Sequence, residues 1–312
     1  MKRSRRRRPP EKPGRAGFLV VDKPPGVTSH DMVDAARRWL GTRRVGHLGT
    51  LDPLATGVLP LAVREATKLV PFLADGSKSY AGAIRLGLTT DTLDGEGEVL
   101  ERHEGAYPDE ARLREALETF VGPIEQLPPM YSAVKQGGVP LHRLARQGRV
   151  VEREPKSVTI ERLQLVKYSP PDVEVEVDCS PGTYVRVLAA DLGERLGCGA
   201  YLASLRRTRS GPFSESQALG ISLLEREAES GEIEARLVPE VNALGFPVLR
   251  LGTEEARRVF HGGEVPVPDS ALAAGERVAA LEPGGQLLAV MEVKPGRRLH
   301  PLRVLRSLAP GS

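Results

Sequence analysis

The sequence is poor in cysteine and in aromatic side chains. Its 312 residues include two cysteines, one tryptophan, six tyrosines and six phenylalanines. Cys179 and Cys198 form neither a CxxC pair nor a larger cluster. That spacing excludes zinc-ribbon and disulfide-scaffold folds, and two reduced, buried thiols are expected. No apolar run approaches the roughly 18 residues of a membrane-spanning helix. The N-terminus has charge without a following apolar h-region, so a cytoplasmic location is expected. The six histidines show no metal-ligand spacing, and there is neither a phosphate-binding P-loop nor a GxGxxG fingerprint. No metal and no cofactor is expected.

Charge of either sign is present but unevenly placed. The formal net charge of +3 arises from residues 1–15, MKRSRRRRPPEKPGR, which hold eight Lys/Arg against one Glu. The remainder carries 36 basic and 40 acidic residues, a net of −4. Such a polar, Pro-containing basic tail is expected to be disordered, serving as a solubilising arm or as a non-specific attractor of phosphates. Behind it, 40% hydrophobic and 27% charged residues are ordinary usage for a globular chain with a proper core.

Periodicity and punctuation give a coarse map. GFLVVD (17–22) reads as a short strand, stopped by Lys23-Pro24-Pro25-Gly26. Thr28 with Asp31 forms a capping-box start for a helix ending at Gly41. A Gly-rich stretch follows, then a helix near 65–74, a strand over 79–88, a turn-rich segment over 89–97 and a helix from about Pro108. Residues 122–149 are rich in Pro and Gly and read as a projecting insertion (about 122–150), with a short basic helix over 141–147. Strands are expected over 156–166, 173–179 and 201–209, with a helix over 184–196. Beyond a break near 242–247, Thr253 is expected to cap a short helix, followed by a hairpin of 277–281 and 287–293. Strands and helices mix without strict βαβ alternation. The expected class is therefore α+β with a mixed, largely antiparallel sheet (16–243), plus a small β-barrel-like module (247–308).

Chemistry concentrates in GHLGTLDPLATGVLP (46–60). Gly46, Gly49 and Gly57 let backbone approach a ligand closely. Asp52 precedes Pro53 and is thereby kept out of helical conformation, while Leu51, Leu54, Val58 and Leu59 anchor the loop to a core. One acid is held on a stiff apolar loop. In isolation an Asp-Pro pair also suits an ordinary Asx turn.

The whole fifteen-residue string resembles the signature of pseudouridine synthases of the TruB family, which modify the tRNA T loop. Three further stretches agree in order: DKPPGVTSHDMV (22–33), KSYAGAIRLGLTTDTLDGEG (78–97) and CSPGTYVRVLAADLGERLGCGAYLASLRRTRSGPF (179–213). The resemblance is close over 17–215 and looser over 247–306, where it suggests a PUA module that binds RNA. It implies isomerisation of a T-loop uridine at tRNA position 55, with Asp52 as catalytic carboxylate. It also implies Arg186 as the cation paired with Asp52, and Tyr80 as the ring stacked on uracil and a base for the late proton transfer. Tyr184 would line the same pocket, His47 would fill the RNA stack vacated by the flipped base, and Leu205 would pack beside that base. The implied partner is the tRNA T-stem loop, with no membrane, no obligate protein partner and a monomeric state.

Bottom-up chemistry is consistent with that reading. Breaking N1–C1′, turning the uracil and rejoining it through C5 needs no redox group or activated donor. It does need a carboxylate kept charged in a desolvated pocket, which an uncompensated buried acid would not be. Arg43, Arg44, Lys68, Arg143, Arg146, Arg149, Arg206, Arg207 and Arg209 are candidates for tracking phosphates, which position RNA without specifying it. Two alternatives share these residues. One is the guide-RNA-dependent relative, which typically lacks the 122–149 segment. The other is an RNA-binding or RNA-folding protein that merely keeps the fold.

Overall fold

A computed structural model describes residues 13–132, 134–145, 147, 151–268 and 272–305. The basic tail up to residue 12, Arg146 and Arg149 lie outside them. Strand β1 (Gly17–Lys23) is buried on both faces. Leu19 and Val21 enter one core while Phe18 and Val20 enter another, which is why this strand reads as a continuous apolar run. Helix α1 (Ser29–Trp39) opens with the expected capping box. The Thr28 side chain accepts the Asp31 N–H, and the Asp31 carboxylate accepts the Thr28 N–H. Strands β2 (Val45–His47) and β3 (Thr56–Val63) flank the Gly-rich loop, and β3 runs antiparallel to β1 from Gly17↔Val63 to Lys23↔Gly57.

A 3-10 turn (Arg64–Leu69) and α2 (Val70–Leu73) lead to β4 (Lys78–Leu86). Next come the hairpin β5 (Leu88–Thr90) and β6 (Val99–Arg102), then α3 (Glu110–Glu118). Gly122–Gln126 corrects the sequence reading. It is not part of an irregular insertion but strand β7, paired with the main sheet through Lys156↔Gln126 to Ile160↔Gly122. Pro123 obscured it, yet β7 closes one edge of the sheet, where a strand tolerates a residue without an N–H. The insertion proper comes after it and contains β8 (Lys135–Gln136), β9 (Val139–Pro140) and α4 (Leu141–Ala145).

Strands β10 (Lys156–Ser169) and β11 (Asp172–Cys179), helix α5 (Val185–Leu196), then β12 (Ala200–Ser210) and β13 (Phe213–Ser214) complete the main unit. The sheet runs β1-β3-β12-β4-β11-β10-β7, with β2 added beside β3 and β13 beside β12. Among the described strand pairings of this sheet only β3 with β12 is parallel, so the sheet is mixed and largely antiparallel. Helices α1, α3 and α5 cover one face. Cys179 and Cys198 are buried free thiols there. β12 carries irregularities at 202/204 and 207/209, the kind of strand defect that re-aims side chains beside sites.

Helices α6 (Ile221–Ser230) and α7 (Glu240–Leu244) lead to the C-terminal module. It consists of β14 (Val248–Arg250), α8 (Thr253–Phe260), β15 (Val265–Pro266), β16 (Arg277–Leu281), β17 (Leu287–Lys294) and β18 (Arg298–Val304). Its sheet order is β14-β16-β17-β18-β15. Gly252, not Thr253, is the cap of α8: the Glu255 carboxylate accepts the Gly252 N–H, and Thr253 is already helical. Ala279, Leu281, Leu287 and Val290 pack with Phe18, Val20, Val58 and Ala62 on the back of the main sheet. Each fully buried side chain of Phe or Leu size contributes about 1.5–3 kcal/mol to that contact. No helix among the described residues is long and apolar enough to cross a membrane.

Candidate active site

Asp52 lies on the loop between β2 and β3, and its neighbours are tied on both sides. Ser29, buried at the start of α1, donates to the Leu51 carbonyl at 3.0 Å and accepts the Leu51 N–H at 2.8 Å. The Pro53 carbonyl accepts from the Gly26 N–H (2.9 Å) and from Lys23 Nζ (3.2 Å). Lys23 is fully buried and also donates to the carbonyls of Pro24 and Val27. Burial pushes its ammonium down to about 8, against the pull of nearby carboxylates that include Asp52. Gly49 and Gly57 both have φ of +95°, and a Cβ on Gly57 would stand 2.3 Å from the Arg207 carbonyl. Glycine is therefore required where β3 meets β12.

The Asp52 carboxylate is reached by solvent, with 42% of its side chain accessible, while protein packs its remaining sides. Arg186, in the first turn of α5, places Nη2 3.2 Å from Asp52 Oδ2 and Nη1 3.6 Å from Asp94 Oδ2. Nη2 also donates to the Tyr131 carbonyl at 2.6 Å, whereas Nε is buried without an acceptor. Asp94 is itself buried, fixed by Thr92 Oγ1 (2.6 Å) and the Glu96 N–H (3.1 Å), and follows Leu93 at φ 65°. One guanidinium thus bridges two acids. Burial raises the Asp52 carboxyl above its ordinary value; Arg186 opposes that rise, and Asp94 adds to it. The arginine offsets the desolvation cost without cancelling it.

Tyr80 is buried on β4, opposite Arg207 on β12 and Val177 on β11. Burial raises its hydroxyl pKa, and the Arg207 charge pulls the other way. Leu205 is two residues from Arg207 on the same strand face, with Cδ1 over Gly82, where a Cβ would approach to 3.3 Å. Tyr184 caps α5, and Arg186 Cζ lies 5.9 Å from its ring centroid. Its backbone is clamped by Gln126, which accepts the Tyr184 N–H (2.9 Å) and donates to the Tyr184 carbonyl (3.2 Å). His47 ends β2 with Nδ1 buried and without a hydrogen-bond partner among the described residues. Burial first and Arg207 second hold its pKa down, so the imidazole is neutral at pH 7.

Three family models match this chain in order. Residues 37–185 match the TruB family pseudouridylate synthase N-terminal domain. Residues 186–240 match the tRNA pseudouridylate synthase B C-terminal domain, and residues 246–306 the tRNA pseudouridine synthase II C-terminal domain. The chain is 46% identical over 297 residues to tRNA pseudouridine synthase B of Pseudomonas aeruginosa (strain UCBPP-PA14), covering 94% of this chain and 96% of the relative. This chain belongs to the TruB family. A second relative, tRNA pseudouridine synthase B of Geobacter sulfurreducens, is 43% identical over 280 residues, 86% of this chain and 90% of its own. Among solved structures, a Cbf5-Nop10-Gar1 complex has a chain 27% identical with a TM-score of 0.71, covering 93% of this chain and 85% of that one. An H/ACA ribonucleoprotein bound to a substrate RNA containing 2′-deoxyuridine has the same TM-score at 24% identity, and shares the fold.

Within this TruB-family chain, the structure joins Asp52, Arg186 and Tyr184 directly, and sets Tyr80 and Leu205 on adjoining strands of one sheet face. It also adds residues that the sequence reading passed over. Lys23, Ser29 and Asp94 all stand in the quoted motifs, but as a lysine before prolines, a helix-start serine and a turn aspartate they had ordinary local explanations. Gln126 was hidden by the misread strand. The basic residues need one correction. Arg207, taken as a phosphate-tracking candidate, is completely buried. Arg44 and Lys68 both pair with Glu65, and Arg206 pairs with Asp22 (3.0 Å) and Glu215 (2.6 Å). Arg209 donates to Ser77 and Ser79, while Arg43 is exposed.

Proposed function

We propose that this chain converts a uridine of tRNA to pseudouridine, acting on the T loop at position 55, with Asp52 as the catalytic carboxylate. The observation that carries the reading is the carboxylate of Asp52, held by Arg186 on a loop tied at Leu51 and Pro53 and accessible to solvent. In the reaction the N1–C1′ bond breaks, the uracil turns, C5 bonds to C1′, and the proton displaced from C5 is balanced by one gained at nitrogen. The carboxylate stabilises the positive charge that develops at C1′ as the first bond weakens. Tyr80 offers its ring to the uracil face and its hydroxyl to the late proton transfer. Tyr184 and Leu205 line the pocket of the flipped base, and neutral His47 occupies the place that base leaves.

The proposed units are a catalytic domain over 16–243 and a PUA-like RNA-binding domain over 247–308, working as a monomer in the cytoplasm. Turnover without a guide RNA or protein partner is favoured by the near end-to-end match to relatives named tRNA pseudouridine synthase B. It is also favoured by the segment after Gln126, folded as β8, β9 and α4. Incubating the purified protein alone with unmodified tRNA transcript and mapping pseudouridine chemically tests both points. Modification at position 55 is expected. No product under single-turnover conditions overturns the reading, and product only on addition of guide RNA replaces it with the guided one.

A further inference from the structure

Arg207 is the largest side chain in the described core with no exposure to solvent, and it has no carboxylate partner among the described residues. Its Nε donates to the Val58 carbonyl at 2.7 Å, Nη2 to the Gly49 carbonyl at 3.1 Å and Nη1 to the Thr50 carbonyl at 3.4 Å. Tyr80 stands directly opposite Arg207 in the pairing of β12 with β4, and the two groups act on each other electrostatically. One planar guanidinium therefore joins the Asp52 loop to β3 from the position on β12 that faces Tyr80 on β4. We propose that Arg207 is the positioning residue that registers the Asp52 loop against Tyr80, so that carboxylate and phenol meet one base at a fixed separation.

A buried cation without a counter-ion is expensive, and an apolar side chain of similar volume would join loop and strand at lower cost. The other groups facing this centre add to the expense. Lys78 from β4, His47 from β2 and Lys23 from β1 all feel the Arg207 charge, and Asp52 and the un-ionised Cys179 thiol act on Tyr80 beside it. What the guanidinium supplies, and an apolar side chain does not, is a rigid fork of donors that ties the loop carbonyls of Gly49 and Thr50 to the Val58 carbonyl of β3, from the strand position opposite Tyr80. Gly57 and Gly49, both at positive φ, let the loop lie close enough for those bonds. The arrangement supports a chemical site at which placement within about 1 Å is worth on the order of 10²-fold in rate.

This inference rests on the proposed function, and its test keeps the two apart. Single-turnover pseudouridine formation is compared for wild type, Arg207→Lys, Arg207→Gln, Tyr80→Phe and the Arg207→Lys/Tyr80→Phe pair. Thermal melts check folding, and filter binding gives the tRNA Kd. Arg207→Lys is expected to melt cooperatively, bind tRNA with unchanged Kd and lose on the order of 10²-fold in rate. The loss should shrink in the Tyr80→Phe background, where there is no hydroxyl left to register. A wild-type rate in Arg207→Lys, a loss that appears as weaker tRNA binding, or an undiminished loss in the Tyr80→Phe background overturns the proposal. Hydrogen exchange needs neither activity nor an altered arginine. Tyr80→Phe should speed exchange of the Leu48 and Ala55 amides, and unchanged exchange there also overturns it. Failure of the wild type to form pseudouridine would count against the proposed function and leave the exchange result standing.

Discussion

Ser29 holds Leu51 by both of its backbone groups: the hydroxyl donates to the carbonyl at 3.0 Å and accepts the N–H at 2.8 Å. Leu51 immediately precedes Asp52, so the serine at the start of α1 sets where the carboxylate begins. Ser29→Ala leaves a donor and an acceptor unsatisfied in a buried place, at a cost of about 1–3 kcal/mol. Denaturant unfolding measures that loss. Single-turnover rates should fall while the tRNA Kd stays close to wild type, because the loop shifts without losing an RNA contact. Equal stability for Ser29→Ala and wild type would refute this account of the loop.

Asp52→Asn is expected to lower turnover by more than about 10³-fold, the scale of losing a preorganised charge at a reacting centre. Its stability effect runs the other way. The folded-state pKa is raised above the ordinary 3.8, so holding the charge costs the folded state free energy. That cost is absent below the unfolded value, grows as pH rises from there, and is complete above the folded pKa. Asp52→Asn should therefore melt at the same or a higher temperature than wild type at pH 7, with no difference at pH 3. The wild-type rate should climb with pH through a midpoint above the usual carboxylate range. A melting temperature well below wild type at pH 7 would contradict the assignment of burial as the main influence on Asp52.

Much of this was legible from residues alone, for reasons that can be named. The signature loop carries its own punctuation: glycines at the positive-φ points, Pro53 after the acid and apolar anchors on both sides. The Thr28–Asp31 capping box and Gly197 at the end of α5 are local signals, and each formed as its chemistry requires. What escaped the reading depends on long-range pairing. Gly122–Gln126 became a strand because β10 lies beside it, and no periodicity within five residues including Pro123 announces that. Asp94 looked like one more turn residue in TTDTLDGEG. Only the fold brings it to Arg186, 92 positions later in the chain. Arg207 is the sharpest case, since its neighbours Arg206 and Arg209 are polar-surface residues and the strand irregularity at 207/209 decides which arginine turns inward.

Asp94 offers a separate prediction. Its carboxylate shares Arg186 with Asp52 and pushes the Asp52 pKa upward. Asp94→Asn removes that push, so the acid limb of the pH–rate profile should move to lower pH. It also releases Nη1 of Arg186 from one of its two anchoring acids, and the single-turnover rate at pH 7 should fall by on the order of 10²-fold, the scale of a small misplacement at a reacting centre. Filter binding should give an unchanged tRNA Kd. An acid limb that moves to higher pH would show that Asp94 acts on the site by some route other than its charge.

Lys23 joins both ends of this electrostatic system and can be followed without any substrate. Burial lowers its pKa from 10.5 to about 8, and Asp52 is among the acids that limit the fall. Folded Lys23 therefore binds its proton less tightly than the unfolded chain does. Between about 8 and 10.5 the unfolded state holds more protons, and stability should rise with pH across that window. In a chain with isotopically labelled lysine, the Lys23 Cε resonance should titrate near 8, apart from the other lysines. Repeating the titration in Asp52→Asn should move the midpoint lower still, because a supporting negative charge is gone. A midpoint that stays near 10.5 in wild type would mean that the carbonyls of Pro24, Val27 and Pro53 compensate the ammonium fully. An upward shift in Asp52→Asn would mean that the Asp52 charge does not support the Lys23 ammonium.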